Sequence, residues 1–144
     1  MIFKRILAST SLSLLIGLSA PAFADGNNVN LQQYGFDNGL GASQSGHVNR
    51  LAVNQDGWGN NAISTQDGSR NRAVLGQNGY YNNSVSTQVG RCNVTGIAQF
   101  GRNNSVDAQQ NGACNALGVI QTGTGNHAIV RQNGSGNIAV IVQD

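Results

Sequence analysis

Small or apolar residues alternate with polar ones along most of the chain, in a pattern that repeats every eleven residues. Counted from the Gln that begins each unit, position 3 is Gly and position 6 is Asn, which gives the phrase Gln-x-Gly-x-x-Asn. Positions 8 and 10 are small or apolar throughout, whereas positions 7, 9, 11 and 2 vary freely. A repeat of fixed period decides the fold before local propensities do, so this interval constrains every other interpretation.

The parity of the repeat predicts strands. Positions 6, 8, 10, 1 and 3 share a parity, and on an extended chain side chains of one parity point to the same face. We predict that this face is the inside, and the Gly in every unit makes a helix unfavourable. Each unit then predicts a strand of about eight residues, with a tight turn at positions 3 to 6.

Two units make one closed coil of 22 residues, with parallel in-register neighbours above and below. The predicted fold is therefore all-β, a parallel β-solenoid of two-stranded coils with eleven strands between residues 27 and 143. The Gly at position 3 lacks a Cβ, which permits the bend and the close approach of two strands at the coil edge.

Two columns of amides run through the repeat. The glutamines of position 1 are Gln33, Gln44, Gln55, Gln66, Gln77, Gln88, Gln99, Gln110, Gln121, Gln132 and Gln143. The asparagines of position 6 are Asn38, Asn49, Asn60, Asn71, Asn82, Asn93, Asn104, Asn115, Asn126 and Asn137. An amide buried without a partner costs about 2 to 7 kcal/mol. Identical amides stacked one coil apart can pair along the axis, so we predict two inner amide ladders.

The first residues differ from the repeat. Lys4 and Arg5 precede a short apolar run over residues 6–17, and Ala22-Phe23-Ala24 follows. This pattern predicts a cleaved secretory signal peptide over residues 1–24 and one repeat domain over residues 25–144. No second long apolar segment follows, so no integral membrane segment is expected.

Charge excludes one class of partner. Beyond residue 24 the chain has six Arg and six Asp, with no Lys or Glu, so its formal charge is balanced. No basic stripe is present, and we expect no nucleic-acid partner. The Gly-, Asn- and Gln-rich composition alone would suggest disorder, but the strict period argues for an ordered fold.

Catalytic and metal-binding motifs are missing from the pattern. His47 and His127 fall in different columns, and no nucleophile, base and acid recur together. A calcium-binding Gly-rich solenoid would need an Asp in each turn, and the turns here carry mainly Gly, Asn, Ser and aromatic residues. We expect no catalytic residues, no cofactor and no metal, and hence not an enzyme.

One column is aromatic. Phe36, Trp58 and Tyr80 occupy position 4 of alternate units, one predicted coil apart, with Arg102 next in the column. The structural interpretation is an aromatic ladder capped by a cation over a ring, worth about 0.5 to 1.5 kcal/mol per pair. The functional interpretation is an adhesive or dye-binding stripe.

The two cysteines test the coil length. Cys92 and Cys114 both occupy position 5 and are separated by 22 residues. In a coil of that length their Cα atoms should lie about 4.8 Å apart, inside the roughly 4.4 to 6.8 Å range of a disulfide. We predict a bridge; the alternative is two unpaired thiols, because parallel Cβ vectors in a flat ladder strain the bond.

The longer phrase Gln-x-Gly-x-x-Asn-x-Ala-x-x-x-Gln is complete in four units, over residues 55–66, 66–77, 121–132 and 132–143. It resembles the curlin repeat, whose family forms curli. The resemblance implies passage through the periplasm, secretion across the outer membrane by a dedicated machinery, and assembly at the cell surface into amyloid fibres for adhesion and biofilm. It also implies a minor subunit that nucleates the fibre. That subunit tends to end in a basic, degenerate repeat, and the regular last repeat here favours a fibre-forming subunit.

The ends of the repeat indicate how such a subunit would assemble. The pattern begins in a strand at Asn27 and ends at Gln143 without capping segments, which a monomeric solenoid needs. Open edges predict head-to-tail contacts that do not close, and hence a filament made of copies of this chain. The alternative is a monomeric ice- or carbohydrate-binding module, for which only Thr65 and Thr87 recur in one outer column, preceded by Ser43.

Overall fold

A computed structural model describes residues 26–144, and the signal peptide predicted over residues 1–24 lies outside the described residues. The described chain forms eleven β-strands. They are β1 (Asn28–Phe36), β2 (Gly39–His47), β3 (Arg50–Trp58), β4 (Asn61–Ser69), β5 (Arg72–Tyr80), β6 (Asn83–Arg91), β7 (Val94–Arg102), β8 (Ser105–Ala113), β9 (Ala116–Thr124), β10 (His127–Ser135) and β11 (Ile138–Gln143).

The strands build two parallel sheets that face each other. The odd sheet has the order β1-β3-β5-β7-β9-β11 and the even sheet has the order β10-β8-β6-β4-β2. In both sheets each residue pairs with the residue 22 positions later, as in Gln55 with Gln77 and Gln66 with Gln88. The predicted all-β solenoid of 22-residue coils is confirmed.

The turns are shorter than predicted. Strands β1 to β10 have nine residues each and run from position 7 to position 4 of the next unit, so only positions 5 and 6 lie between strands. The predicted turn at positions 3 to 6 was wrong in its first half. Position 3 stays in the ladder because Gly adopts a positive φ there, for example 107° at Gly35 and 121° at Gly79.

The residue at position 5 reverses the chain in a left-handed conformation. Seven of these residues are not Gly, among them Asp37 at φ 54° and Cys92 at φ 50°. The turns also bond to one another, since the N–H of Tyr81 donates to the carbonyl oxygen of Trp58 at 2.8 Å. This contact satisfies a backbone group that a strand ladder would otherwise satisfy.

The core lies between the sheets and runs along the stack. Positions 8 and 10 fill it with buried side chains such as Leu51, Leu75 and Val119. At the N-terminal end the same columns are open, with Val29 and Leu31 of β1 46% and 38% exposed, and at the C-terminal end Ala139 and Ile141 of β11 are only partly buried. The core therefore continues to both ends of the described solenoid without a covering segment in residues 26–144.

Candidate functional site

The glutamines of position 1 line up in two continuous ladders, one in each sheet. In the odd sheet the Nε2 of Gln77 donates to the Oε1 of Gln99 at 2.9 Å, and Gln99 donates in the same way to Gln121 at 2.9 Å. The second Nε2 hydrogen of Gln99 points to the facing sheet, where the carbonyl oxygen of Asn83 accepts it at an N···O distance of 3.0 Å. Gln99 is 0% exposed, so these contacts satisfy a fully buried amide.

The asparagines of position 6 are also inner, but they bond differently from the prediction. The Oδ1 of Asn49 accepts the backbone N–H of Asn71 at 3.0 Å, while its Nδ2 donates to the carbonyl oxygens of Ser45 and Gly68 at 2.9 and 3.1 Å. Direct side-chain pairing within this column is confined to a few contacts such as Asn82 to Asn60 at 3.1 Å. The shorter side chain lies beside the turn, so it satisfies backbone groups there rather than forming an uninterrupted amide ladder.

Both columns are directional. In each Gln ladder the donor belongs to the coil nearer the N-terminus and the acceptor to the next coil. Among residues 26–144, one Nε2 hydrogen of Gln132 and one of Gln143 therefore lack an acceptor, because each Nε2 bonds only to a carbonyl of the facing sheet. At the other end the Oε1 atoms of Gln33 and Gln44 receive no donor from the described residues.

The asparagine column has the opposite direction. The backbone N–H of each position-6 Asn donates to the Oδ1 of the preceding coil, as Asn137 does to Asn115 at 3.0 Å. Within the described chain, the Oδ1 atoms of Asn126 and Asn137 are consequently left as acceptors at the C-terminal end. The two ends of the solenoid thus present complementary hydrogen-bonding groups.

The ends also expose backbone and apolar surface. Strands β1 and β2 at one end, and β10 and β11 at the other, each pair on one side only within residues 26–144. The outward side chains of β11 are strongly exposed: Ile138 at 79%, Val140 at 71% and Val142 at 63%. Unpaired strand edges that carry apolar side chains are surfaces on which further strands pair.

The aromatic column forms a ladder of edge-to-face pairs. The ring centroids of Phe36 and Trp58 are 5.7 Å apart with planes at 88°, and those of Trp58 and Tyr80 are 6.3 Å apart at 84°. This geometry suits the ring quadrupoles better than face-to-face stacking. Arg102 is next in register, but its Nε donates to Thr124 Oγ1 at 3.3 Å, and no cation–π contact is found in the described residues. The predicted cation cap is therefore absent from this ladder.

The cysteines lie on the opposite edge from the aromatic ladder. Cys92 and Cys114 are joined by a disulfide, with Cα atoms 4.6 Å apart. Both residues adopt the left-handed conformation of position 5, at φ 50° and 54°. We call the turns that follow odd strands the aromatic edge and those that follow even strands the cysteine edge.

One inner contact was not predicted. Thr95 of β7 occupies position 8, where its Oγ1 accepts from Gln88 Nε2 at 3.2 Å and donates to Gln110 Oε1 at 2.8 Å. A hydroxyl of the odd sheet thereby joins the ladder of the even sheet. The only sequence signal is a polar residue in an otherwise small or apolar column, and the sequence does not show which sheet it bonds to.

Residues 26–144 contain no group of three or more His, Cys, Asp or Glu side chains that could hold a metal ion. No helix within this part of the chain is both long enough and apolar enough to cross a membrane.

No family model matches the chain, and no curated protein matches its sequence.

The inner amides should contribute far more to stability than the outer ones. Replacing Gln99 by Leu leaves the amide of Gln77, the carbonyl of Asn83 and the Oε1 of Gln121 without their partners. At about 1 to 3 kcal/mol for each orphaned group, we expect a loss of about 3 kcal/mol or more in unfolding free energy. Urea unfolding of the freshly refolded parent and variant chains measures this difference in unfolding free energy.

Asn78→Ala is the control, because Asn78 lies one residue from Gln77 on the exposed face and should change stability by less than about 0.5 kcal/mol. Asn83 is a poorer control, since its Oδ1 accepts from Asn61 at 2.9 Å. Equal losses for Gln99→Leu and Asn78→Ala would contradict the assignment of inner and outer faces.

Proposed function

We propose that this chain is the structural subunit of an extracellular, curli-like amyloid fibre, in which solenoids stack head to tail through their open ends. The observation that carries the proposal is the complementarity of the two ends. Gln132 and Gln143 offer Nε2 hydrogens at one end, and Gln33 and Gln44 offer Oε1 atoms at the other. A second copy in the same orientation would extend both ladders.

Orientation follows from the same groups. If two C-terminal ends met, amide donors would face donors, and two N-terminal ends would bring acceptors together. Each donor or acceptor that is buried without a partner costs about 1 to 3 kcal/mol. Head-to-tail contact is therefore favoured, and because such contacts do not close on themselves they generate a filament.

Apolar burial acts in the same direction. Val29 and Leu31 are inner residues that only the open end exposes, at 46% and 38%, and a docked copy would cover them. Covering apolar surface contributes about 25 cal/mol for each Å² removed from water. The interface therefore continues the core and both sheets from one copy into the next.

The biological setting of the proposal comes from the curlin-like repeat. On that resemblance the fibre would form at the cell surface after export through the periplasm, with adhesion and biofilm matrix as its uses. A curli-type secretion machinery and a nucleating subunit would be its partners. The regular apolar β11 supports a fibre-forming subunit over the nucleating one.

A monomeric ice- or carbohydrate-binding module has weaker support. Thr65 and Thr87 are neighbours in register on the even sheet, but Gln109 and Arg131 continue that column. A flat binding face needs a regular outward array, and this column does not provide one.

The test is assembly of the purified chain after removal of denaturant. We expect unbranched fibres whose diffraction contains a reflection near about 4.8 Å along the fibre axis, because strands stack perpendicular to it. Electron microscopy and fibre diffraction measure both properties. A chain that stays monomeric by light scattering for days at micromolar concentration would contradict the proposal.

A further inference from the structure

We infer that successive copies in the filament are rotated by half a turn about its axis, so that the odd sheet of each copy continues the even sheet of the copy before it. In this arrangement β1 of the incoming copy pairs with β10, and its β2 pairs with β11. The inference rests on the proposed head-to-tail filament and specifies the register of its junction.

The number of strands requires the rotation. The described chain has six strands in the odd sheet and five in the even sheet, so β11 lies half a coil beyond β10. If the odd sheets of two copies were continuous, β1 would pair with β11 and leave a gap the width of one strand above β10. The half-turn register pairs the free edges of β10 and β11 with β1 and β2 and leaves no gap.

The alternative register would cost many backbone contacts. In that register β10, a strand of nine residues, would face an enclosed space. The Nε2 hydrogen of Gln132 that has no acceptor would point into the same space. Unpaired backbone groups away from water are rare in proteins because each costs about as much as a lost hydrogen bond. In the half-turn register Gln132 instead donates to Gln33 of the incoming copy, and Gln143 donates to Gln44.

The outer surfaces at the junction fit the same register. The exposed Ile138 and Val140 of β11 would lie over Gly39 and Gly41 of the incoming β2, which present no side chain. Inside the chain Val140 already packs in this way on a glycine, because it pairs with Gly118 of β9. A Cβ added at Gly118 would lie 3.9 Å from a methyl of Val140. The alternative register would place Ile138 and Val140 over polar side chains of β1.

The rotation has a consequence for the surface of the fibre. The aromatic edge of one copy would lie above the cysteine edge of the copy before it. Exposed rings such as Trp58 and Tyr80, at 52% and 53%, would then alternate between the two sides of the filament. Both sides would carry equivalent aromatic patches.

Position 5 provides the means to test the register. Its residues in adjacent coils are close enough to be bridged, as Cys92 and Cys114 are, with Cα atoms 4.6 Å apart. In the half-turn register Asp37 of the incoming copy lies over Gly136. In the alternative register Gly26 lies over Gly136. All three positions already have a positive φ, at 54°, 71° and 73° for Asp37, Gly136 and Gly26.

The experiment compares two double variants, Asp37→Cys/Gly136→Cys and Gly26→Cys/Gly136→Cys, both carrying Cys92→Ser and Cys114→Ser. Within one chain each pair lies at opposite ends of the stack, so any bridge joins two copies. After oxidation of the fibres, we expect a ladder of covalent multimers on non-reducing denaturing gels from the first variant and monomers from the second. Bridges in the second variant, in both, or in neither would overturn the inference.

Failure of the filament itself is seen separately. Two controls are needed: the unmodified chain and the variant that carries only Cys92→Ser and Cys114→Ser. If neither forms fibres by electron microscopy, the proposed function fails and the register fails with it. Fibres of the unmodified chain give a second measurement that needs no substitution. Cryo-electron microscopy should place the aromatic edge on alternate sides of successive copies, and an aromatic edge that stays on one side would overturn the half-turn register.

Discussion

Replacing Leu31 by Asp should stop filament growth while the chain itself stays folded. Leu31 lies on the inner face of β1 and is 38% exposed in the isolated chain only because nothing in residues 26–144 covers that end. Docking of a second copy would enclose the new carboxylate in an apolar core without a partner. An uncompensated buried charge costs about 3 to 5 kcal/mol, which corresponds to a rise of about 100-fold or more in the concentration needed for assembly.

Val74→Asp is the matched control for this experiment. Val74 is 41% exposed, close to the value for Leu31, but it points outward from β5 in the middle of the odd sheet. Its exposure does not change in the proposed filament, so we expect the variant to assemble at nearly the parent concentration. Sedimentation gives the soluble fraction at equilibrium, and circular dichroism of that fraction reports the β-structure. Normal growth of Leu31→Asp, or equal inhibition by Val74→Asp, would show that the open end is not the growing surface.

The architecture could be predicted because it depends on which residue type recurs at each position of the repeat. An eleven-residue period with constant parity leaves few ways to bury the apolar positions, and a coil of two units places Cys92 and Cys114 one coil apart. The pairing of each residue with the one 22 positions later then follows. No local propensity was needed for this step.

The turn could not be predicted in the same way. Gly at position 3 is compatible with either a turn or a strand, and only the backbone shows that it stays in the ladder with a positive φ. The sequence did not predict the left-handed conformation of non-glycine residues at position 5, such as Tyr81 at φ 55°. This conformation is uncommon for bulky side chains. Here the stacked turns impose the conformation.

The amide columns show a second limit of sequence reasoning. Gln and Asn carry the same donors and acceptors, so the sequence predicts one behaviour for both. The structure separates them by length: Gln99 reaches the next Gln in the core, whereas Asn49 donates to the backbone of strand β4 beside the next turn. The direction of each ladder, on which the complementarity of the ends depends, is a property of three-dimensional hydrogen bonding and has no counterpart in the sequence.

Replacing Gly79 by Ala should destabilise the chain strongly. A Cβ at this position would lie 1.9 Å from the carbonyl oxygen of Gly101 in the next coil, and φ is 121°. The obstructing atom is backbone in a paired strand, so it cannot move without breaking the ladder. Backbone strain of about 1 to 3 kcal/mol and overpacking of about 1 to 3 kcal/mol together predict a loss of about 2 to 6 kcal/mol in unfolding free energy.

Gly76→Ala provides the control on the same strand. Gly76 lies three residues earlier in β5, and a Cβ there would approach no atom closer than the carbonyl oxygen of Ile97 at 3.9 Å. Because this backbone is compatible with Ala, we expect stability within about 1 kcal/mol of the parent, or a small gain from the less flexible unfolded chain. Urea unfolding of the freshly refolded variants compares the two. Similar midpoints for Gly79→Ala and Gly76→Ala would mean that adjacent coils are not as close at position 3 as the ladder requires, and the stacking of turns would have to be revised.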